Sequence, residues 1–185
     1  VGWGGLADAF DESKPAWETE YLELKTVLTP EEYAAARAST LNAHYTQPIV
    51  IESMYQALEN MGFEKGNILE PAMGVGNFFG MIPEKMENSK LYGVELDSIS
   101  GRIASLLYPD ANIQIKGFEK TDYPNDFFDV VIGNVPFGAY KVNDRQYEKY
   151  NFFIHDYFLA KSLDQLRPGG VTALITTKGT MDKAS

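Results

Sequence analysis

The sequence predicts an α/β fold: a doubly wound, mostly parallel sheet with an N-terminal helical extension in front of it. Three observations predict it. From Leu41 onward, short apolar runs alternate with stretches of helical spacing, the pattern that lays helices on both faces of a parallel sheet. Phe127 to Ile132 is apolar apart from Asp129, as expected of a strand buried on both faces. The chain has 185 residues, 44% of them hydrophobic and 23% charged. That is enough for one domain with a real core, and it excludes disordered and collagen-like classes.

Residues 1–40 read as the extension. Val1 to Leu6 is a loop, with Gly2, Gly4 and Gly5 around Trp3. Trp17, Tyr21, Leu24 and Leu28 recur at helical spacing. Thr29-Pro30-Glu31-Glu32 reads as the start of a second helix running to about Ser39. Thr29 caps it, Pro30 occupies a first turn that needs no N–H, and the glutamates sit at the positive end of the dipole. Residues 41–185 read as the main domain. Thr46 to Met61 is a helix, with Pro48 in its first turn and Gly62 at its end. Asn67 to Glu70 is a short apolar strand, and a Gly-rich turn leads from it into a helix from about Asn77. Lys90 to Glu95 is the second strand, Ser98 to Tyr108 a helix stopped by Pro109, and Asn112 to Lys116 the third strand. After the Phe127–Ile132 strand, Phe152 to Leu166 is a helix ended by Arg167-Pro168-Gly169-Gly170, and Val171 to Thr176 is the fifth strand.

Composition narrows the function. The absence of cysteine excludes disulfides, zinc–thiolate sites and iron–sulfur clusters, and makes a reducing cytoplasm the natural compartment. No run approaches the roughly 20 apolar residues of a membrane span, so no membrane partner is expected. A net charge of −10 argues against a free-standing nucleic-acid binder, though not against an enzyme whose grip on DNA comes from another part of a longer protein. The sequence opens at Val1 without Met and stops at Ser185 soon after a strand-like run; we expect both ends to lie within a longer chain.

Three features carry chemistry. The first is Glu70-Pro71-Ala72-Met73-Gly74-Val75-Gly76-Asn77-Phe78, between the first strand and its helix. Glycines there let the backbone approach a ligand and leave N–H groups to hold it. The spacing is not the G-x-G-x-x-G dinucleotide fingerprint, and no P-loop lysine comes after it; alone, the segment is equally a plain strand-to-helix turn. The second is Glu95, with Leu96 and Asp97 after it at the end of the second strand. An acid about 20 residues beyond such a turn can accept hydrogen bonds from both ribose hydroxyls, and the two features together point to a nucleoside. The third is Gly133-Asn134-Val135-Pro136-Phe137-Gly138, directly after the fourth strand. Ligands of parallel sheets sit beyond the carboxyl ends of the strands, so Asn134 belongs to the same cleft. An amide oxygen, a backbone carbonyl before proline and an aromatic face suit a planar substrate with an exocyclic amine. Asn and Pro also close ordinary turns, which have no need of Phe137.

The order of these motifs resembles the class I, S-adenosylmethionine-dependent N6-adenine DNA methyltransferases of the gamma arrangement, over roughly residues 41–185. His44-Tyr45-Thr46-Gln47-Pro48 resembles the family's leading motif, which contacts the methionine end of the cofactor. The resemblance is closer still to the methylase modules of large helicase–methylase proteins of phages and conjugative elements, through Val1-Gly2-Trp3-Gly4-Gly5, Ser39 to Thr46, Asn134 to Gly138 and Ile175 to Lys183. It implies a Rossmann-like catalytic domain that ends before its last antiparallel strands. It also implies S-adenosyl-L-methionine as cofactor and a flipped DNA adenine as substrate, held mainly by other segments of the parent protein, with a fused helicase among its partners. The cofactor would be held by His44, Tyr45, Thr46, Glu70, Pro71, Ala72, Gly74, Gly76, Asn77, Phe78, Glu95, Leu96, Phe118, Glu119 and Asn134. Asn134, Val135, Pro136 and Phe137 would carry catalysis, with no metal.

Two positions depart from the family. Val135 stands where most members have Pro, and only its backbone carbonyl is needed. Gly117-Phe118-Glu119 stands where many have an Asp for the cofactor's adenine amine; Glu119 would take that role with a shifted register, and Phe118 would pack against the ring. Related enzymes methylate RNA bases or protein glutamine, and a silent cofactor-binding module is a third reading. Among Tyr140, Tyr147, Tyr150, Phe152 and Phe153, packing and a base pocket both remain open, as do phosphate contact and a solvated loop for Lys141, Arg145 and Lys149.

Overall fold

The computed structural model describes residues 3–40 and 45–182. Helices α1 (Glu18–Val27), α2 (Pro30–Ser39) and α3 (Pro48–Asn60) precede the first strand. Strands β1 (Asn67–Glu70), β2 (Lys90–Glu95), β3 (Asn112–Ile115), β4 (Phe128–Asn134) and β5 (Leu166–Ile175) come next, with α4 (Ser98–Leu107) before β3 and α5 (Ile154–Gln165) before β5. The strands form one sheet in the order β3-β2-β1-β4-β5, and every neighbouring pair is parallel. The order turns back on itself between β1 and β4, and the carboxyl ends of strands at such a switch point open a crevice.

The pleat sorts the core onto two faces. Ile68, Val130 and Ile132 pack against Ile51, Tyr55 and Leu58 of α3. Leu69, Val94 and Val131 pack on the other face against Ile154, Tyr157 and Phe158 of α5. The extension has a small core of its own, with Ala9, Phe10 and Ala36 buried and Trp3 and Tyr33 against them. The capping box at Thr29 forms as expected: Glu32 N–H donates to Thr29 Oγ1 at 3.2 Å, and Thr29 N–H to Glu32 Oε2 at 3.0 Å. The other oxygen of Glu32 pairs with Arg102 of α4, fastening the extension to the main domain. No helix among the described residues is long and apolar enough to cross a membrane.

The structure departs from the sequence reading in three places. No α-helix begins at Asn77; the chain makes turns and two 3-10 segments, Phe79–Met81 and Glu84–Met86. Gly80 and Pro83 leave too few helix-forming residues to repay nucleation. The last helix starts at Ile154 rather than Phe152, because Asn151 is left-handed and Phe153 extended. The final strand begins at Leu166, since Leu166 already pairs with Phe128 and Val171 resumes the ladder at Val130. Residues 167–170 bulge out between those pairings, with Gly169 at φ +82°. Asp129 anchors this corner by accepting from Asn67 N–H at 2.7 Å and pairing with Arg167.

Gly76 has φ +86°, and an added Cβ would lie 2.4 Å from the Tyr108 ring; Gly62 has φ +85° with nothing within 4 Å. Gly62→Ala therefore meets only backbone strain, whereas Gly76→Ala meets strain and a clash. In urea unfolding, both should destabilise, Gly76→Ala by more than about 1 kcal/mol and by more than Gly62→Ala.

Candidate active site

The crevice is built on the turn after β1. Met73 N–H donates to the Val94 carbonyl at 3.0 Å, and Gly76 N–H closes onto the Met73 carbonyl at 2.8 Å. Tyr55 and Tyr108 hydroxyls donate to the carbonyls of Phe78, at 2.9 Å, and Gly76, at 2.7 Å. The Glu95 carboxylate then joins two elements: Oε2 accepts from Gly74 N–H and Oε1 from Asp97 N–H, both at 2.7 Å. Asp97 caps α4, accepting from Ser100 N–H at 3.0 Å and Ser100 Oγ at 2.6 Å. Burial raises the Glu95 pKa above the usual carboxylate value, while the two backbone donors pull the other way.

Glu70 lies beneath this turn, 2% exposed. Its Oε2 has no hydrogen-bond partner among the described residues. Burial, reinforced by the charge of Glu95, holds its carboxyl well above the ordinary value. Gly74, at φ +56°, has nothing within 4 Å of an added Cβ, so its face is open to the crevice. A cavity of about 200 Å³ lies between the turn, Glu95 and Asn134.

Asn134 is the last residue of β4, so the strand itself aims its side chain beyond the sheet edge. Its Nδ2 donates to Thr46 Oγ1 at 3.3 Å. The next residue, Val135, is 2% exposed and packs in the core with Leu69 and Phe118. Its N–H donates to the Ile175 carbonyl at 3.2 Å. Its side chain is thus a core residue, and only its backbone is left for a ligand.

The structure brings most of the expected site residues to one cleft. Tyr45 and Thr46 line it from one side, and Glu70 to Ala72, Gly74, Asn77 and Phe78 from the turn. Glu95 and Leu96, Phe118 and Glu119, and Asn134 and Pro136 complete it. Phe118 is wedged against Phe158, ring centroids 5.0 Å apart, whereas Glu119 is partly exposed; both face the cleft. Gly76 is not part of the lining: it is buried under Tyr108, so its glycine serves packing. Phe137 is partly buried and also outside the lining. His44 lies outside the described residues. His155 is buried in α5, its Nε2 3.6 Å from Asp156, and among the described residues no cluster of His, Asp and Glu could hold a metal ion.

Other lining residues escaped sequence reasoning. Ala38 and Ser39 of α2 form part of the wall, so the extension belongs to the site. Val142 contributes from the loop after Asn134 and Phe158 from α5, beside Tyr140, which the sequence leaves between packing and a base pocket. Under this wall Lys161, 5% exposed, donates to the Phe118 carbonyl at 2.8 Å and to Asp144 Oδ2 at 3.2 Å. Hydrogen bonds to the charged form hold Asp144 below the ordinary carboxylate value despite its burial. This buried cation ties the segment after β3 to the loop after Asn134. A lysine on an apolar helix face was its only sequence signal.

Comparison with known proteins agrees with this geometry. A structure of geranyl diphosphate methyltransferase in complex with S-adenosylmethionine superposes with a TM-score of 0.53 over 94% of the chain and 59% of that protein, at 12% identity. That likeness establishes the fold as the Rossmann-like class I methyltransferase fold. The defense against restriction protein B of Escherichia phage P1 is 35% identical over 141 residues, which are 74% of this chain and 6% of that protein. The type II methyltransferase M.CvrRI of Paramecium bursaria Chlorella virus XZ-6E is 36% identical over 83 residues, 43% of this chain and 21% of that protein. The chain thus spans a small part of each relative's length. The Eco57I restriction-modification methylase family matches residues 85–185, more than half of the sequence and the part that holds Glu95, Asn134 and Lys161, and the chain belongs to that family.

Proposed function

We propose that this chain is the catalytic module of an S-adenosylmethionine-dependent DNA methyltransferase that methylates the exocyclic N6 amine of a flipped adenine. The observation that carries the reading is the position of Asn134: it lines the same cleft as Gly74, Glu70 and Glu95 and is hydrogen-bonded to Thr46. The far longer phage relative fits a module within a larger protein, whose other segments and any fused helicase would supply most of the DNA contacts.

The residues present fit the cofactor. The open face of Gly74 lets a ligand approach the turn, and the carboxylate of Glu95 retains lone pairs for ribose hydroxyls beside its two backbone donors. Glu70 Oε2 is a buried acceptor in want of a cationic partner, and the amino group of the cofactor's methionine end is one. Bound there, the cofactor supplies a methyl group activated by its sulfonium. The protein's own task is positioning and charge localisation. Adenine N6 is a weak nucleophile because its lone pair is delocalised into the ring. The Asn134 Oδ1 and the Val135 carbonyl accept its two hydrogens and draw that lone pair out of the ring. Phe137 stacks on the base, which must leave the duplex to be reached.

Tritium transfer from labelled S-adenosylmethionine to oligonucleotides with adenine, N6-methyladenine or cytosine at one position tests the reading; adenine alone should accept label. Asn134→Ala should lower transfer by roughly a hundredfold or more while leaving S-adenosylhomocysteine affinity within a few fold. Transfer to RNA or to protein glutamine instead of DNA would reassign the substrate.

Glu95→Ala should weaken S-adenosylhomocysteine binding about ten- to a hundredfold by calorimetry, and the melting temperature should fall as Gly74 and Asp97 N–H groups lose their acceptor.

Glu70 gives the site a pH dependence. Its raised pKa favours the neutral carboxyl in the free protein, and a cationic amino group beside Oε2 favours the carboxylate. Binding therefore releases a proton, and affinity should climb with pH until the raised pKa is passed. Calorimetry in buffers of different ionisation enthalpy reads that proton directly, and Glu70→Gln should abolish its release.

A further inference from the structure

Residues 138–153 join the Asn134-Val135-Pro136-Phe137 stretch to α5, and their surface differs from the rest of the chain. In a protein of net charge −10, Lys141, Arg145 and Lys149 are all exposed within this short loop. Only Glu148 opposes them at the surface, because the Asp144 carboxylate is turned inward and neutralised by buried Lys161. The aromatic residues divide in two. Tyr147 and Phe152 pack against the core, but Tyr140, Tyr150 and Phe153 remain 42%, 54% and 42% exposed. Cations sit against the exposed rings: Lys149 Nζ lies 4.7 Å from the Tyr150 centroid, and Lys141 Nζ 5.7 Å from that of Phe153. Phe152 stacks under Tyr150, with centroids 5.2 Å apart and planes 15° apart.

This surface is firmly backed. Asp144 Oδ2 accepts from the Tyr157 hydroxyl at 2.7 Å as well as from Lys161. Tyr147 donates its hydroxyl to Asp164 Oδ2 at 2.7 Å. Ile154 N–H donates to the Tyr140 carbonyl at 2.9 Å, closing the base of the loop. The loop also borders the cleft, since Tyr140 and Val142 share its wall with Asn134 and Pro136. Tyr150 and Phe153 are backed by Phe152 and His155, and a strand in which bases alternate with phosphates draws the exposed ammonium groups off the opposite ring faces to the backbone, leaving those faces to stack on bases of any sequence. A protein partner seated on isolated rings would have to desolvate these cations with little apolar area in return.

We propose that residues 138–153 form a docking platform for a single DNA strand, on which nucleotides next to the target base stack against Tyr150 and Phe153 while Lys141, Arg145 and Lys149 contact phosphates. The choice of DNA as the strand rests on the function proposed above. The platform adds modest, salt-sensitive affinity beside the catalytic cleft, as three phosphate contacts on an acidic chain allow.

Fluorescence anisotropy of a labelled single-stranded oligodeoxynucleotide, titrated with the 185-residue chain at several salt concentrations, tests the platform. The parent chain should bind at low salt and release as salt rises. Tyr150→Ala and Phe153→Ala should each weaken binding about fivefold or more. The double variant Lys141→Gln, Lys149→Gln should flatten the slope of log affinity against log salt by about 1.4. Each variant should keep the parent's S-adenosylhomocysteine affinity, which reports an intact fold. Absence of binding by the parent chain at low salt, or variants that bind as the parent does, would overturn the proposal. Equal affinity for the matching duplex would overturn the single-strand assignment, and tighter binding of the same sequence as RNA would overturn the assignment to DNA. The assay does not read methyl transfer, so the platform can stand where the methylation reading fails, and the reverse.

Discussion

One carboxylate organises the site. Glu95 stands at the end of β2 and accepts N–H groups from Gly74 and Asp97, and so fixes the turn after β1 and the start of α4 relative to each other. The remaining contacts depend on that placement. Gly74 can leave an open face because its N–H is already held by Glu95. Asp97 can cap α4 because its own backbone is pinned. Tyr108, at the far end of α4, can then close over Gly76 and hold the other side of the turn. A buried acid, Glu70, and a partly buried one, Glu95, near one cleft are costly by themselves, and both have raised pKa values. Glu95 offsets its cost through the N–H groups of Gly74 and Asp97, whereas Glu70 Oε2 has no partner among the described residues, which accords with a ligand that carries positive charge.

Much of the fold was legible because it comes from local chemistry. The capping box at Thr29 appears in the sequence as Thr-Pro-Glu-Glu and forms as such. The first two strands coincide with their apolar runs, since a strand buried between helices needs little else to mark it. The segment after Gly76 was misread as a helix although Gly80 and Pro83 interrupt it, and the tertiary part of its path, Tyr108 lying over Gly76 and Gly80, leaves no local mark in the sequence. The Arg167-Pro168-Gly169-Gly170 stretch reads as a helix stop ahead of a strand at Val171, yet pairing already begins at Leu166, and Asp129 on the neighbouring strand pairs with Arg167 at the bulge.

The site was legible in its strand ends and illegible in its walls. Glu70, Glu95 and Asn134 each end a strand, and topology alone sends strand ends to one crevice. Ala38 and Ser39 carry no chemical signal, and only the docking of α2 on α4 brings them to the cleft. Lys161 lies among apolar residues on α5; its importance comes from the Phe118 carbonyl and Asp144, far from it in sequence. Val135 shows the converse: a departure from the family's pattern at this position is tolerable because its side chain is spent on the core.

The junction of α2 with α4 bears on how such modules travel. The composition of the sequence draws a boundary near residue 40, yet the cleft wall crosses it and an ion pair clamps it shut. A cut there would leave the five-stranded sheet with a breached pocket. The structural unit that encloses the cleft is therefore larger than the sheet and takes in α2. Chimeras between related proteins should tolerate exchange within the first loops far better than a splice between Ser39 and the start of α3.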